Sequence, residues 1–238
     1  MKHLVLVSAL ALSVLPSVSH AQLAFNAGVF SDYRYRGISQ TRLKPAVQAG
    51  VDYAAGGLYV GAWASSIKWI KDAGGNANAE IDLYGGYKGD IVKDSLTFDV
   101  GVLTYQYPSN NLATKAETTE IYGALTFGPA TLKYSHSVSN LFGFADSKNS
   151  GYVDLSATFD VGGISVVPHV GYQKVSNNGN YSYTDYSLTV SKDFSGLVVS
   201  AAAIGTNTKK LGGSPAYVSP QGKNLGKAGL VVGLKYNF

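Results

Sequence analysis

The sequence predicts an all-β protein: a transmembrane, up-and-down, antiparallel β-barrel of about 12 strands. Three observations lead there. After position 21, apolar residues recur at every second position instead of forming a run of about 20. The alternating segments are joined by short and long connections in turn, as a meander across a bilayer requires. Finally, 14% of the 238 residues are charged and 45% are hydrophobic, whereas an ordinary soluble domain carries about 25% charged residues.

Composition excludes several other classes. There are 28 Gly, 17 Tyr, no Cys and one Met. That rules out a disordered chain, a disulfide-stapled mini-protein, a zinc ribbon and a charged helical bundle. The net charge of +4 is small and no Lys/Arg cluster forms a nucleic-acid footprint, so no nucleic-acid partner is expected.

Residues 1–21 read as a secretory signal peptide. Lys2 supplies the positive start, Leu4 to Leu15 the apolar stretch, and Ser19-His20-Ala21 the small residues before cleavage. About 15 apolar residues are short for a membrane anchor. The expected organisation is a leader over 1–21 and one barrel over 22–238. Without Lys2, 18 basic and 15 acidic residues remain, and the only histidines are His136 and His169. Export without cysteine fits a Gram-negative outer membrane, reached through the Sec route.

The strands follow in order near 23–37, 45–54, 58–67, 79–89, 95–106, 117–128, 130–142, 151–161, 164–175, 182–194, 197–206 and 226–238. In the first, Leu23, Phe25, Val29, Tyr33 and Tyr35 share a face opposite Asn26, Asp32, Arg34 and Arg36. The second sets Val47, Val51 and Tyr53 against Gln48 and Asp52, and the fourth sets Ile81, Leu83 and Tyr87 against Glu80, Asp82 and Lys88. Leu96 to Val102 oppose Thr97 and Asp99, Ile121 and Leu125 oppose Glu120, and Leu132 and Tyr134 oppose Lys133. Val153 and Leu155 oppose Asp154, and Leu230 to Phe238 oppose Lys235. The third and eleventh strands do not alternate cleanly; Val198 to Ile204 is apolar on both faces, so the register there stays open.

Connections at 55–57, 129, 162–163 and 195–196 are tight and that at 90–94 only moderately so, whereas those at 38–44, 68–78, 107–116, 143–150, 176–181 and 207–225 are longer and polar. An even strand count puts both ends of the barrel on the short-turn, periplasmic side. Closure follows from solvent. Unpaired edge groups are intolerable in hydrocarbon, and only a closed sheet has none. Charges on nearly every polar face exclude a dry lipocalin-like interior, so the apolar set should face lipid. Aromatics near strand ends, such as Tyr33, Tyr35, Tyr53, Tyr59, Trp69, Tyr87, Tyr105, Tyr107, Phe142, Tyr172, Tyr183, Tyr186, Phe194 and Tyr236, are expected to form interfacial girdles. Phe238 closes the last alternating strand and resembles the C-terminal signal read by the barrel-assembly machinery.

Twelve strands tilted by about 40° imply a backbone radius of about 12 Å and a lumen on the order of 12 Å across. Gly28, Gly50, Gly86, Gly101, Gly171 and Gly233 should face it and leave room, and a long loop folded inside would shut it, with 207–225 the prime candidate. The candidate pore-lining residues are Asp32, Arg34, Arg36, Asp52, Glu80, Asp82, Lys88, Asp99, Glu120, Lys133, Asp154, His169, Asp185 and Lys235, with Asp160 alongside them. They either pair across the wall or leave an acidic excess that favours cations. Arg34 and Arg36 suggest a basic stripe near the outer mouth.

The stretch Ser31-Asp32-Tyr33-Arg34-Tyr35-Arg36-Gly37-Ile38-Ser39-Gln40-Thr41 with Pro45-Ala46 resembles the opening of the TorF-family porins. Glu80 to Tyr87, Tyr105 to Pro108, Glu120 to Tyr122, His169 to Tyr172 and Tyr183 to Tyr186 continue the likeness. The resemblance implies an outer-membrane β-barrel assigned as a porin, and it brings no catalytic or binding residues with it.

No metal-ligand spacing, GxSxG or P-loop is present, so no cofactor is expected. The sharpest enzyme alternative is a lipid hydrolase using His136 on the lipid face, but Ser135 and Ser137 point the other way. A protease would want clustered Asp and His at the rim, and only His169 faces inward. The expectation is a channel passing small hydrophilic solutes or ions, with a non-conducting structural or adhesion barrel as the alternative. Its surroundings are outer-membrane lipid, and its oligomeric state is open.

Overall fold

The computed structural model describes residues 21–238. The leader expected over 1–21 lies outside the described residues, except for Ala21. Twelve strands form one closed antiparallel wall. They are β1 (Gln22–Phe30), β2 (Ala46–Ala55), β3 (Leu58–Ser66), β4 (Ala79–Val92), β5 (Leu96–Gln106), β6 (Thr118–Phe127) and β7 (Ala130–Ser137), followed by β8 (Gly151–Ala157). After a break at Thr158, β8 resumes over Phe159–Val161 against the same neighbour. The wall continues with β9 (Ile164–Lys174), β10 (Tyr183–Phe194), β11 (Leu197–Thr206) and β12 (Gly229–Asn237). Each strand pairs with the next, and β1 closes on β12 from Asn26↔Asn237 to Phe30↔Gly233. Closure leaves no free edge, which is the condition for strands in lipid.

The tight turns follow from local chemistry. Gly56-Gly57, Gly162-Gly163 and Ser195-Gly196 all hold positive φ at both central positions. That is the type I′ geometry whose twist matches the flanking strands.

Period 2 sorts the side chains as the solvent demands. Leu23, Phe25, Val47, Leu83, Leu125, Leu132, Leu155, Leu188 and Leu234 point outward and are strongly exposed. The two ambiguous strands resolve in the same way. Val60 in β3 and Val199 in β11 face out, while Tyr59, Ser65, Val198 and Ala202 face in and are buried.

The first strand is shorter than its alternation suggests. β1 stops at Phe30, and residues 31–45 turn into the barrel. There they form a hairpin in which Arg34–Tyr35 pair with Ile38–Ser39 across a turn at Arg36 (φ 44°) and Gly37 (φ 79°). Tyr33 and Tyr35 therefore belong to the interior instead of the lipid face. Tyr59, Tyr105, Tyr107 and Tyr183 are likewise buried inside, with Trp69 and Phe142 packed against that interior cluster. Of the residues expected in the girdles, Tyr53, Tyr87, Tyr172, Tyr186, Phe194 and Tyr236 do face outward.

Candidate functional site

The lumen has two levels, set by what the wall offers. In the short-turn half, Asp52, Lys88, Asp99, Lys133, Asp154, His169 and Lys235 project inward and are half-buried. Tyrosines tie several of these down: Tyr84 donates to Asp52 at 2.6 Å and Tyr59 to Asp99 at 2.5 Å, while the Tyr59 and Tyr122 hydroxyls are also in contact. Lys133 sits 3.9 Å over the Tyr122 ring. His169 Nε2 lies 2.6 Å from Asp154, its Nδ1 3.7 Å from Asp185, and the Tyr152 hydroxyl 3.1 Å from Asp185. Asp160 is not with them; it is exposed at a tight turn and accepts from the Gly163 N–H.

The six inward glycines do face the lumen, but they do not simply leave space. A Cβ at Gly101 would fall 2.5 Å from the Tyr122 hydroxyl, and one at Gly50 would fall 2.8 Å from Asn26. The Tyr122 ring lies over Gly101, Tyr59 over Gly86, Tyr152 over Gly171 and Phe30 over Gly233. Glycine is required where a ring folds back along the wall.

The upper level is occupied by the inserted hairpin. Arg36 reaches β6 and β9 together: its guanidinium donates to Glu120 at 2.7 and 3.1 Å and to Gln173 at 2.5 Å. The same group stacks 4.2 Å over Tyr152. Tyr33 donates to Glu80 on β4 at 2.5 Å, and Tyr35 meets Tyr105 on β5 at 2.6 Å. Arg34 pairs with Asp32 at 2.5 Å and donates to the carbonyls of Gly37, Leu225 and Lys227. Asp32 also accepts from Ser39 and Thr41. At the tip, a Cβ on Gly37 would meet Thr206 at 2.5 Å and Asp185 at 2.8 Å, so glycine lets the turn touch β10 and β11. One hairpin thus engages seven wall strands.

Burial changes with depth. Glu80, Asp82, Glu120 and Asp185 are at most 2% exposed, against the half-buried charges below. Asp82 has no hydrogen-bond partner among the described residues. The segment expected to enter the lumen, 207–225, instead roofs the mouth, where Leu225 packs on Ile38 and Tyr183 with Tyr217 against them. Arg34 and Arg36 are hairpin groups neutralised by Asp32 and Glu120; they do not form a free basic stripe on the wall. The signal in the sequence was Gly37 at the very end of the apparent strand, a residue suited to the positive φ of a tight turn.

Above the hairpin is a cavity of about 340 Å³ bounded by Tyr35, Ile38 and Gln173 below and by loops 67–78, 138–150, 175–182 and 207–228 around it. In these loops burial pushes the Tyr107 phenol up first, followed by the charge of Glu80, and burial with a neighbouring Tyr181 pushes Tyr217 up. Both stay neutral hydroxyls.

On the lipid face, His136 is 3.3 Å from the Tyr134 hydroxyl and is flanked across the sheet by Ile121 and Gly151. Among the described residues no serine or asparagine side chain hydrogen-bonds it, and no group of three His, Asp or Glu is placed to hold a metal ion.

The chain belongs to the family described as "Bacterial protein of unknown function (Gcw_chp)", whose model matches residues 16–238. No curated protein matches the sequence. Among solved structures, the outer membrane protein OprD from Pseudomonas aeruginosa is 15% identical over 91% of this chain and 65% of its own, with a TM-score of 0.39. OccAB4 of Acinetobacter baumannii is 12% identical over 88% of this chain and 56% of its own, with a TM-score of 0.43. LpxR from Salmonella typhimurium is 9% identical over 90% of this chain and 99% of its own, with a TM-score of 0.46. This chain therefore spans less than two thirds of the length of OprD and OccAB4.

Proposed function

We propose that this Gcw_chp-family barrel is a narrow channel of the Gram-negative outer membrane, passing small hydrophilic solutes or ions down their gradient. The observation that carries the reading is the sorting of the wall. Apolar side chains cover the outside, while an enclosed interior is lined by carboxylates, amines, hydroxyls and glycines. A structural shell needs no such interior; a water path does. Selection would come from size at the hairpin level and from the wall charges below it. Residues 1–21 would deliver the chain to the Sec machinery, and Phe238 at the end of β12 would address it to barrel assembly. The likeness of the 31–46 stretch to the TorF-family porins supports the same reading.

A second reading has one observation in its favour. The hairpin fills the upper lumen with buried side chains, as a non-conducting structural barrel would also do. Planar-bilayer recording on purified protein separates the two. Discrete current steps in concentrated KCl support the channel; a reconstituted protein that gives none removes it and leaves the structural barrel.

A further inference from the structure

The cavity above the hairpin has its own chemistry. Eight of its lining residues are aromatic, and they come from six different segments of the chain. Tyr35 and Phe142 meet edge to face at 5.3 Å on one wall, Trp69 and Tyr107 at 5.2 Å on another, and Phe144, Tyr181 and Tyr217 form a third set with centroids 4.7 to 6.5 Å apart. Such rings normally close on each other into a solid core; here they surround a space. An engineered cavity of about 150 Å³ accepts benzene, so roughly 340 Å³ accommodates two fused rings with substituents.

The polar groups narrow the class. The Tyr35, Tyr107 and Tyr217 hydroxyls are committed to Tyr105, Glu80 and the Tyr181 carbonyl. These tyrosines therefore offer ring surface instead of the dense hydroxyl pairing that a sugar requires. The one acid on the lining, Asp72, is already ion-paired with Arg42 through Oδ1, and Glu120 below is neutralised by Arg36, which argues against an organic cation. The Trp69 indole N–H and Asp72 Oδ2 have no hydrogen-bond partner among the described residues, but both atoms are sealed from solvent and present no polar surface to the space.

We infer that this mouth cavity is a binding site for an uncharged aromatic molecule of one or two fused rings, whose rings lie among the aromatic walls. The site stands apart from conduction, because the hairpin forms its floor whether or not ions pass.

The test is isothermal titration calorimetry of the full barrel in lipid nanodiscs, with empty nanodiscs subtracting partition into lipid. The probes are 1-naphthol, tetramethylammonium and methyl glucoside. The expected result is saturable one-site binding of 1-naphthol alone. Phe142→Ala and Tyr217→Ala should each weaken it about tenfold, since each removes a ring contact together with its buried area. Lipid-facing Leu155→Ala should leave it unchanged. Phe142→Leu serves if the alanine variant does not fold. Absence of saturable 1-naphthol binding, equal binding by the pocket variants, or preference for either of the other probes overturns the inference. A barrel that conducts but does not bind sinks this site alone; one that binds without conducting sinks the channel alone.

Discussion

Arg36→Ala tests the hairpin directly. The guanidinium makes three hydrogen bonds, two to Glu120 and one to Gln173, and covers the Tyr152 ring. Its side chain is 7% exposed and that of Glu120 is 2%, so solvent screening gives little discount. Truncating one partner of such a buried pair costs about 3–5 kcal/mol, chiefly because the other charge stays buried and unpaired. At about 1.4 kcal/mol per decade, the docking equilibrium of the hairpin shifts by roughly a hundred- to a few thousandfold. The wall itself should hold, because no strand pairing involves Arg36. Hydrogen exchange reads both at once. The Ser39 N–H bonds the Leu225 carbonyl at 3.0 Å and the Gln40 N–H bonds the Tyr33 carbonyl at 2.7 Å, and these amides report hairpin docking. Their protection should collapse in the variant while amides of β5 and β6 keep theirs. Replacing both partners, Arg36→Met with Glu120→Met, should restore most of the protection by removing the orphaned acid. Unchanged hairpin exchange in Arg36→Ala, or equal loss from hairpin and wall, would refute the account of the hairpin as a separately docked element held by this pair.

Other outcomes follow from the sorting of faces and from close approaches. Leu155→Arg, on the outward face of β8, should destabilise the reconstituted barrel by about 2–4 kcal/mol in urea titrations, whereas Ser156→Arg, one residue on and facing in, should cost far less. Gly101→Ala places a Cβ 2.6 Å from the Gly85 carbonyl as well as against Tyr122, so it should lose about 1–3 kcal/mol by the same measurement. Deleting Phe238, which is 74% exposed and bonded to the wall through its N–H to the Phe25 carbonyl at 2.9 Å, should lower the amount reaching the outer membrane in cells while leaving refolding in detergent micelles intact.

The wall was legible because lipid imposes a binary rule on every second residue. Leu132 and Lys133, or Leu155 and Asp154, cannot exchange faces without placing a charge in hydrocarbon, so their alternation states their direction. Glu120, Asp154, Asp185 and Lys235 were placed inward on that ground alone. The same rule misled at residues 31–37. Asp32-Tyr33-Arg34-Tyr35-Arg36 continues the alternation of β1, yet both of its faces lie inside the barrel. Period reports two faces; it does not report what they face. Length held the missing clue. A transmembrane strand needs about 9–11 residues, β1 reaches 9 at Phe30, and the further residues assigned to it had no bilayer left to cross. Those girdle aromatics that turned out to lie inside were misplaced for a related reason. Tyr59 and Tyr105 stand near strand ends as girdle residues do, but on the inward face of their strands.

Why a hairpin enters this barrel follows from the same dimensions. Eight strands leave an interior that wall side chains fill, and sixteen leave an open channel. At twelve the gap is on the order of 12 Å, too wide for Asp, Lys and Tyr from opposite walls to meet. Two paired strands about 4.8 Å apart, with side chains on each flank, are about that wide. The hairpin supplies what the wall lacks: Arg36 gives Glu120 and Gln173 a common partner, and Tyr33 gives Glu80 a donor. Below its level the aromatic rings lie back over glycines and the charges remain half-buried. The hairpin fill is thus confined to one end of the barrel. On the proposed channel reading, mutations that free the hairpin should enlarge the current without weakening the wall, which planar-bilayer recording would show.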